Sequence, residues 1–319
     1  MSLYASKAAA RAADIGARNR IVIAFVNNMP DAAIKSAERQ FRGLLNAAAG
    51  DLDVVLKGYY CTSVPRSDIA RSTFLQPYQE VNELWDSQID GLIVTGAEPR
   101  AENITDEPVW PLLDRLIDWA EDHTISTIWS CMAAHAAVFK LSGVARKPLT
   151  SKLSGLFQCS KTIEHCLTDG TPESWFVPQS RFNGLPEDEL AAGGFEPLTR
   201  LEAGYDSFIK QRKSLFVFFQ GHPEYDPESL LLEYIRDVKR FCEGQSEIYP
   251  EPPVGYFDRE TLQQLEDLRA QASQQREPES FFAVSRLLKG HQINNVWRSP
   301  STIIFQNWLK YLAREKARM

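Results

Sequence analysis

The sequence has few cysteines, and this argues against two kinds of small stabilised fold. Five cysteines are scattered over 319 residues. Their number is odd and no Cys-x-x-Cys pair occurs, so neither a disulfide framework nor a zinc ribbon is indicated. Scattered cysteines of this kind are typical of a reducing compartment. We therefore predict a cytoplasmic protein with no metal site.

Long basic runs and long apolar runs are also absent. The formal net charge is −7, and no cluster of Lys and Arg provides the concentrated positive surface that a nucleic acid requires. The apolar runs at 21–26 and 215–219 are too short to cross a bilayer. Residues 1–20 lack the apolar segment of a secretory signal, and we interpret them as an N-terminal helical arm. Neither a nucleic acid nor a membrane is expected as a partner.

The first part of the chain alternates between short apolar runs and amphipathic stretches. This pattern predicts strands at 21–26, 52–57, 90–96 and 125–129, and helices at 35–49, 78–86, 109–122 and from 131 onwards. Such an alternation indicates an α/β fold with a mostly parallel twisted sheet and helices on both faces. In sheets of this kind, ligands bind beyond the carboxyl ends of the strands.

The remainder of the chain is less regular, and it begins with a Gly-rich and aromatic-rich region at 155–221. A helix is predicted at 227–242, because Asp226 is a good N-cap and Pro227 suits the first helical position. Further predicted elements are hairpins including 200–205 and 215–220, an exposed helix at 258–276 and an amphipathic segment at 300–316. No repeat or linker divides the chain, so we expect one domain at 21–319 with a helical insertion near 258–285.

Cys131 is a candidate nucleophile because it lies where a predicted buried strand gives way to a helix. The positive end of a helix favours the reactive thiolate form of a cysteine. Most of the residues that follow, in Met132-Ala133-Ala134, are small, as a sharp strand-to-helix turn requires. The alternative is that Cys131 is a small apolar residue that ends a core strand.

A second candidate lies in Gln220-Gly221-His222-Pro223-Glu224, at the end of another apolar strand. On an extended backbone, His222 and Glu224 point to the same side, so the carboxylate can orient the imidazole. The alternative is a turn with a surface histidine. Since both strands belong to one parallel sheet, Cys131 and His222 are expected at the same edge, and together with Glu224 they form a cysteine triad.

The sequence resembles the homoserine O-succinyltransferase family in several motifs, which occur in order between about residues 20 and 312. The motifs are Asn28-Met29-Pro30, Gly91-Leu92-Ile93-Val94-Thr95-Gly96-Ala97, Lys152-Leu153-Ser154-Gly155, Pro178-x-Ser180-Arg181, Gly221-His222-Pro223-Glu224-Tyr225-Asp226, Glu233-Tyr234-x-Arg236-Asp237 and Phe305-x-Asn307-Trp308-Leu309. The resemblance implies a class I glutamine-amidotransferase-like fold, a flavodoxin-like three-layer sandwich.

The resemblance also implies roles for individual residues. It makes Cys131 the acyl-thioester nucleophile, His222 the general base and Glu224 its partner. The substrate-binding positions are Lys152, Ser180, Arg181, Glu233 and Arg236. Glu233 and Arg236 share a helix face and suit the ammonium and carboxylate of homoserine, unless the two simply pair with each other. The backbone N–H of Met132 is expected to hold the oxyanion.

The chain departs from the family pattern at several positions. Met132 and His135 replace the usual Trp and Gln after the nucleophile, Gln179 replaces the usual His, and Asp31-Ala32 lack the lysine that usually follows Met-Pro. Arg100 falls at or next to the position that selects the acyl donor. A guanidinium there favours a dicarboxylic acyl tail, and therefore succinyl-CoA over acetyl-CoA.

The expected activity is acyl transfer from acyl-CoA to the hydroxyl of L-homoserine through an acyl-cysteine, in methionine biosynthesis. Acyl-CoA is a co-substrate, and no cofactor is expected. Three alternatives stay open: another acceptor such as serine, a glutaminase or amidohydrolase that uses the same triad, and a catalytically silent binding paralogue. The oligomeric state is also open, and a homodimer is one candidate assembly.

Overall fold

The computed structural model describes residues 19–274 and 276–319, so the arm predicted at 1–20 lies outside the described residues except for its last two positions. One sheet of ten strands forms the centre of the fold. The strands are β1 (Arg20–Val26), β2 (Asp53–Tyr60), β3 (Gln79–Glu80), β4 (Gly91–Val94), β5 (Ser126–Ser130), β6 (Lys147–Lys161), β7 (Ser174–Gly184), β8 (Glu196–Leu201), β9 (Gly204–Gln211) and β10 (Leu215–Phe219).

Helices connect and cover these strands. The α-helices are α1 (Ile34–Ala48), α2 (Trp110–His123), α3 (Met132–Ser142), α4 (Glu187–Ala192), α5 (Ser229–Cys242), α6 (Arg259–Gln274), α7 (Pro278–Leu287) and α8 (Arg298–Lys316). Short 3-10 turns at Asp31–Ala33, Val81–Leu84 and Ile104–Asp106 and a π-helical turn at Ala70–Phe74 lie in the connections.

The sheet has a parallel part and an antiparallel extension. Its strand order is β3-β2-β1-β4-β5-β10-β9-β8-β6-β7, and the first six strands are parallel to one another, whereas β10 and the strands after it pair antiparallel. The loops after β1, β4, β5 and β10 therefore emerge at one edge. The predicted α/β class, with a largely parallel sheet covered by helices on both faces, is confirmed.

The two faces of the sheet bury separate hydrophobic clusters. Along β10, Phe216 and Phe218 pack on the face that carries α2 and α3, whereas Val217 and Phe219 pack on the face that carries α1 and α8. This alternation follows from the two-residue period of a strand. Every residue of β5 and β10 is buried; β10 is entirely apolar, whereas β5 combines Ile128 and Trp129 with buried Ser and Thr.

The long β6–β7 hairpin is braced by the segment at 243–256. Gly155 lies in β6 with φ +144°, and a Cβ there would collide with the backbone of Val254. The amide of Val254 donates to Ser154 and its carbonyl accepts from Leu156, at 2.9 and 2.8 Å. The glycine of the Lys152–Gly155 motif is thus required by a close backbone approach, which positions the Lys152 end of the hairpin.

Helices α6 and α7 pack with α5 around a third hydrophobic cluster, which includes Leu230, Leu265 and Val284. Most of α6 is exposed, as expected for the helix predicted at 258–276, but Leu265 and Ala272 are buried. The division into one domain with an insertion near 258–285 stays a prediction.

Two local predictions are wrong. The helix predicted at 78–86 is instead strand β3 followed by the 3-10 turn Val81–Leu84, because pairing with β2 takes Gln79–Glu80 into the sheet. Helix α5 begins at Ser229 rather than at Pro227, with Glu228 as its N-cap. Asp226 does not cap the helix through its side chain and instead binds Arg39 at 2.8 Å.

Two features are absent from the described residues. In residues 19–274 and 276–319, no helix has the length and apolar character needed to span a bilayer. The same residues contain no group of three or more His, Cys, Asp or Glu side chains placed to hold a metal ion.

Candidate active site

A pocket opens at the edge of the sheet where β1, β4, β5 and β10 end. The β6–β7 hairpin and α5 close its other sides. The reactive and polar residues that line it are Cys131, His135, Lys152, Ser180, Arg181, His222, Glu224, Tyr225, Glu233 and Arg236. Met132 lines it as well. The structure therefore brings together every predicted site residue except Arg100, and their roles stay predictions.

Cys131 occupies a strained turn between β5 and α3. Its φ of +52° is the only positive φ of a non-glycine residue in the described part of the chain. The amide of Cys131 donates to the carbonyl of Phe219 at 2.7 Å, and the Cys131 carbonyl accepts from Ala134 and His135 at 2.9 and 3.2 Å. Strained backbone of this kind is often found at functional sites. The predicted strand-to-helix elbow is present, and it places Met132 at the start of α3, where amides lack intrahelical partners.

His222 and Glu224 form the second part of the triad. The imidazole Nδ1 of His222 lies 2.8 Å from Oε1 of Glu224, and both side chains are buried. The backbone between them is a turn, with Tyr225 N–H donating to the His222 carbonyl at 3.2 Å. The predicted juxtaposition is thus present, although it arises from a turn and not from extended backbone.

The glycine before His222 is required by crowding beneath the turn. A Cβ at Gly221 would lie 2.6 Å from Oδ1 of Asp206 and 2.9 Å from the Pro178 carbonyl, and it would collide with the Gln179 amide. The next amide, that of His222, donates to the Pro178 carbonyl at 2.9 Å. A side chain at position 221 would therefore push His222 away from β7.

The electrostatic surroundings of His222 favour its protonated form. Burial acts to lower the pKa of His222, but the Glu224 carboxylate and a hydrogen bond with the Cys131 side chain together raise it well above its usual value. This interaction links His222 to Cys131 on one side and to Glu224 on the other. The arrangement is that of a cysteine triad in which the carboxylate stabilises an imidazolium.

A group of polar side chains from β6, β7, α5 and the His222 turn forms what we call the ionic wall, centred on Glu233. Its members are Lys152, Ser180, Tyr225, Glu233 and Asp237. Lys152 Nζ lies 3.4 Å from Glu233 and 2.8 Å from Asp237. The hydroxyls of Ser180 and Tyr225 donate to Glu233, the latter at 2.6 Å.

The ionic wall keeps Glu233 charged. Burial acts to raise the pKa of Glu233, but Lys152 and the hydroxyls of Ser180 and Tyr225 lower it below its usual value. Arg236 hydrogen-bonds Asp237 at 2.9 Å, and no hydrogen bond or ion pair joins it to Glu233 in the described structure. The alternative in which Glu233 and Arg236 simply pair is thus not what the structure shows.

Two members of the ionic wall were missed by sequence reasoning. Tyr225 was noted only as part of the motif at 221–226, yet it stacks on His222 with ring centroids 4.1 Å apart and its hydroxyl donates to Glu233. Asp237 was noted only as part of a motif. Its place four residues after Glu233, on the same face of α5, was the signal that could have identified it.

Beneath the pocket lies a buried polar network of His135, Gln179, Arg181, Asp206 and Gln220. Arg181 Nε donates to Gln179 Oε1 at 3.0 Å, and Gln179 Nε2 donates to Asp206 at 2.6 Å. Gln220 Oε1 lies 3.2 Å from His135 Nε2 and 3.4 Å from Arg181 Nη1. Burial lowers the pKa of His135 to about 3, so its ring is neutral. Asp206 and Gln220 were not singled out in the sequence.

Arg100 lies outside the Cys131 pocket. It is exposed and lines a neighbouring pocket, which shares Ala97, Glu98, Pro99 and Met132 with the first. Its backbone amide donates to the buried carboxylate of Glu107 at 3.0 Å. Arg100 therefore lines a different pocket from Cys131, and its role in donor selection stays a prediction.

The loop after β1 lacks its usual lysine but contacts a cation from elsewhere in the chain. The buried guanidinium of Arg66 donates to the Met29 carbonyl and to the Asn27 carbonyl, the latter at 3.1 Å, and it lies 3.5 Å from Asp31. The segment at 61–69 thus supplies the positive charge that the sequence around Asp31 was expected to lack. Nothing near Met29 in the sequence indicates this contact.

Comparisons with known proteins agree on one family. The model of the family described as homoserine O-succinyltransferase matches residues 3–319. A protein named homoserine O-succinyltransferase from Rhodopseudomonas palustris is 43% identical over 307 residues, which cover 96% of this chain and 92% of the relative. One of the same name from Bradyrhizobium japonicum is 42% identical over 301 residues, with 92% and 90% covered.

Solved structures with similarity to this chain are more distant. A glutamine amidotransferase from Thermotoga maritima has a TM-score of 0.46 at 12% identity, covering 85% of this chain and 99% of its own. A glutamine amidotransferase from Methylobacillus flagellatus has a TM-score of 0.46 at 16% identity, covering 87% and 97%. On the family match and the two close relatives, this chain belongs to the homoserine O-succinyltransferase family of acyltransferases.

Proposed function

We propose that this protein transfers the succinyl group of succinyl-CoA to the hydroxyl of L-homoserine, through a succinyl-cysteine at Cys131, as a step of methionine biosynthesis. One observation carries the proposal: a Cys-His-Glu triad opens into the same pocket as Glu233 and Arg236, whose opposite charges match an amino-acid zwitterion. The names of the relatives supply the acyl group and the acceptor.

In the first half-reaction, the Cys131 thiolate attacks the thioester carbonyl of the donor. The oxyanion is held by backbone amides at the start of α3, beginning with that of Met132. When the carbonyl re-forms, the bond to the CoA sulfur breaks, and the His222 imidazolium gives its proton to the departing CoA thiolate. The succinyl group is then a thioester of Cys131, and His222 is neutral.

In the second half-reaction, the homoserine hydroxyl attacks the acyl-cysteine while neutral His222 takes its proton. The C–S bond to Cys131 breaks and O-succinylhomoserine leaves. The resting pair of thiolate and imidazolium is thereby restored. Glu224 fixes the imidazole at 2.8 Å and stabilises its charge in both half-reactions.

The acceptor is held by charges at the two ends of its amino-acid group. Glu233, kept ionised by Lys152, Ser180 and Tyr225, receives the ammonium. Arg236 receives the carboxylate in the fork geometry that a guanidinium offers. Serine carries the same two charges but is one methylene shorter, so its hydroxyl is expected to fall short of the acyl carbon.

The experiment is intact-mass analysis after mixing the protein with succinyl-CoA. We expect an adduct of about 100 Da, the mass of a succinyl group, which disappears on addition of homoserine but persists with serine. Cys131→Ala should abolish the adduct, whereas Cys166→Ala, at another partly accessible cysteine, should keep it. No adduct together with release of ammonia from glutamine would favour an amidohydrolase. No adduct and no hydrolysis would favour a silent binding protein.

A further inference from the structure

Arg181 is a buried cation with an unused hydrogen-bond donor at the Cys131 pocket. Only 3% of its surface is exposed, yet it lines that pocket. Its Nε and Nη1 donate to Gln179, Gln220 and the carbonyl of Asn183. Its Nη2 is buried without any hydrogen-bond partner. Buried guanidinium groups are normally satisfied, so the unused Nη2 indicates a ligand group that is bound during the reaction.

The charge of Arg181 is also unpaired, in contrast to the other cations of the pocket. Lys152 lies against Glu233 and Asp237, and Arg236 lies 2.8 Å from Asp237. In the described residues, no carboxylate lies within ion-pair distance of Arg181, although Asp206 acts on it from further away. A buried cation of this kind favours an anion over a neutral ligand.

The position of Arg181 narrows the choice of anion. Arg181 lines the same pocket as Cys131, and the two charges interact, so we place the anion that it binds near the sulfur. A succinyl group on Cys131 has its carboxylate only three C–C bonds from the thioester carbon, about 1.5 Å each. The amino-acid carboxylate is already assigned to Arg236, which lies on α5 rather than on β7.

We propose that Arg181 binds the terminal carboxylate of the acyl group, in the donor and in the acyl-cysteine, and so selects a dicarboxylic acyl chain. This inference rests on the proposed function. It moves donor selection from exposed Arg100, in the neighbouring pocket, to a guanidinium held by the buried polar network. The recognised class of donor is an acyl-CoA with an anionic group three bonds beyond its thioester carbon.

The test compares succinyl-CoA with butyryl-CoA, which has a methyl group in place of the carboxylate. CoA release in the first half-reaction gives kcat/KM for each donor. For Arg181→Gln we expect the succinyl-CoA value to fall about 30-fold or more, with the butyryl-CoA value within about threefold of wild type. Arg181→Lys keeps the charge but loses the guanidinium fork. Its kcat/KM for succinyl-CoA should lie between those of the wild type and Arg181→Gln. Arg100→Gln should leave the ratio of the two donors unchanged within about threefold.

Three results would overturn the inference. An equal loss for both donors would assign Arg181 a structural role. A raised KM for homoserine with an unchanged donor ratio would place the acceptor carboxylate at Arg181. If Arg100→Gln changes the ratio of kcat/KM for the two donors and Arg181→Gln does not, Arg100 is the residue that selects the donor.

Two controls complete the design. Circular dichroism and melting of each variant report whether the buried substitution is tolerated; if neither variant folds, a wild-type preference for succinyl-CoA over butyryl-CoA below about tenfold overturns the inference. If wild-type protein forms no succinyl adduct at all, the proposed function has failed and this inference fails with it. If the wild type forms the succinyl adduct and Arg181→Gln does not change the ratio of kcat/KM for the two donors, the inference alone fails.

Discussion

The triad and the buried polar network both contribute residues to one pocket but are positioned in different ways. Cys131 and His222 follow neighbouring strands, and the backbone bond from Cys131 to Phe219 ties these strand ends together. Arg181 is instead held by the side chain of Gln179, two residues earlier in β7, and by that of Gln220, which follows β10. Backbone geometry thus positions the triad, whereas side-chain hydrogen bonds position Arg181, the residue proposed to select the donor.

Two of the departures from the family pattern fall in the buried polar network. His135 stands where the family usually has Gln, and Gln179 stands where it usually has His, so the two residue types are exchanged. Both belong to the buried polar network, one binding Gln220 and the other bridging Arg181 and Asp206. An amide and a neutral imidazole can each accept with one atom and donate with another, so the exchange preserves the hydrogen bonds.

The largest effect should come from removing the nucleophile while keeping its backbone. Cys131→Ala is expected to lower acyl transfer by at least about 10³-fold, because the acyl-cysteine cannot form. Cys131→Gly should be equally inactive but more stable than Cys131→Ala by about 1 kcal/mol, since glycine relieves the strain at φ +52°. Steady-state rates and thermal melting measure the two effects. Equal stability of the two variants would remove the argument that backbone strain is stored at this turn.

Glu224→Gln should lower turnover by about 10²-fold and change the response to pH. The pKa of His222 is raised in the folded protein, so its stabilising contribution is complete below the unfolded value of about 6.5 and is lost as the pH rises through the folded pKa. Without the carboxylate, that loss should still begin near the unfolded pKa, but it should be complete at lower pH and be smaller. Melting temperatures and rates measured across pH for both proteins test this; superimposable profiles would contradict it.

Glu233→Gln should impair the half-reaction with homoserine and leave the half-reaction with the acyl donor largely unchanged. Losing a charged contact with the ammonium is expected to lower kcat/KM for homoserine by about 10- to 100-fold, while formation of the acyl-enzyme changes little. Asp237→Asn serves as the matched control. It removes the negative charge that pairs with Lys152 but leaves Glu233, which receives the ammonium, and should have a weaker effect. A slowed first half-reaction in Glu233→Gln would mean that the ionic wall contacts the donor.

The smallest effects should come from exchanging members of the buried polar network. Gln179→His is expected to keep its bonds to Arg181 and Asp206 and to change stability little. Gln179→Leu leaves both partners unsatisfied and should lower the free energy of unfolding by about 1–3 kcal/mol. Chemical denaturation measures the difference. If Gln179→His is as damaging as Gln179→Leu, the exchange of His and Gln is not a preserved hydrogen-bond pattern.

Much of the fold could be predicted because it depends on local patterns. The buried strand β10 appears in the sequence as a continuous apolar run, and the apolar stripe of α1 appears as a helical period. The helix predicted at 78–86 failed because the pattern there is short, and pairing of Gln79 with Tyr59 outweighed local preference.

The candidate site divides in the same way. Cys131, His222 and Glu224 were predicted because each follows a strand end that the sequence shows, and two of them are only two residues apart. Tyr225 and Asp206 were missed, since an aromatic or acidic residue looks the same in sequence whether it packs in the core or supports a site. Arg66 was missed because its partners at Asn27 and Met29 are more than 30 residues earlier in the chain.

By itself the sequence determined the order of strands and helices and the triad at the strand ends, because hydrophobic period and turn residues act over a few neighbouring positions. Only the tertiary structure decided which charges meet in the pocket. Lys152 and Glu233 are separated by 81 residues, and Gln179 and Asp206 by 27. Whether such groups become exposed charges or a buried network depends on how distant strands and helices pack together. No local sequence pattern encodes that packing.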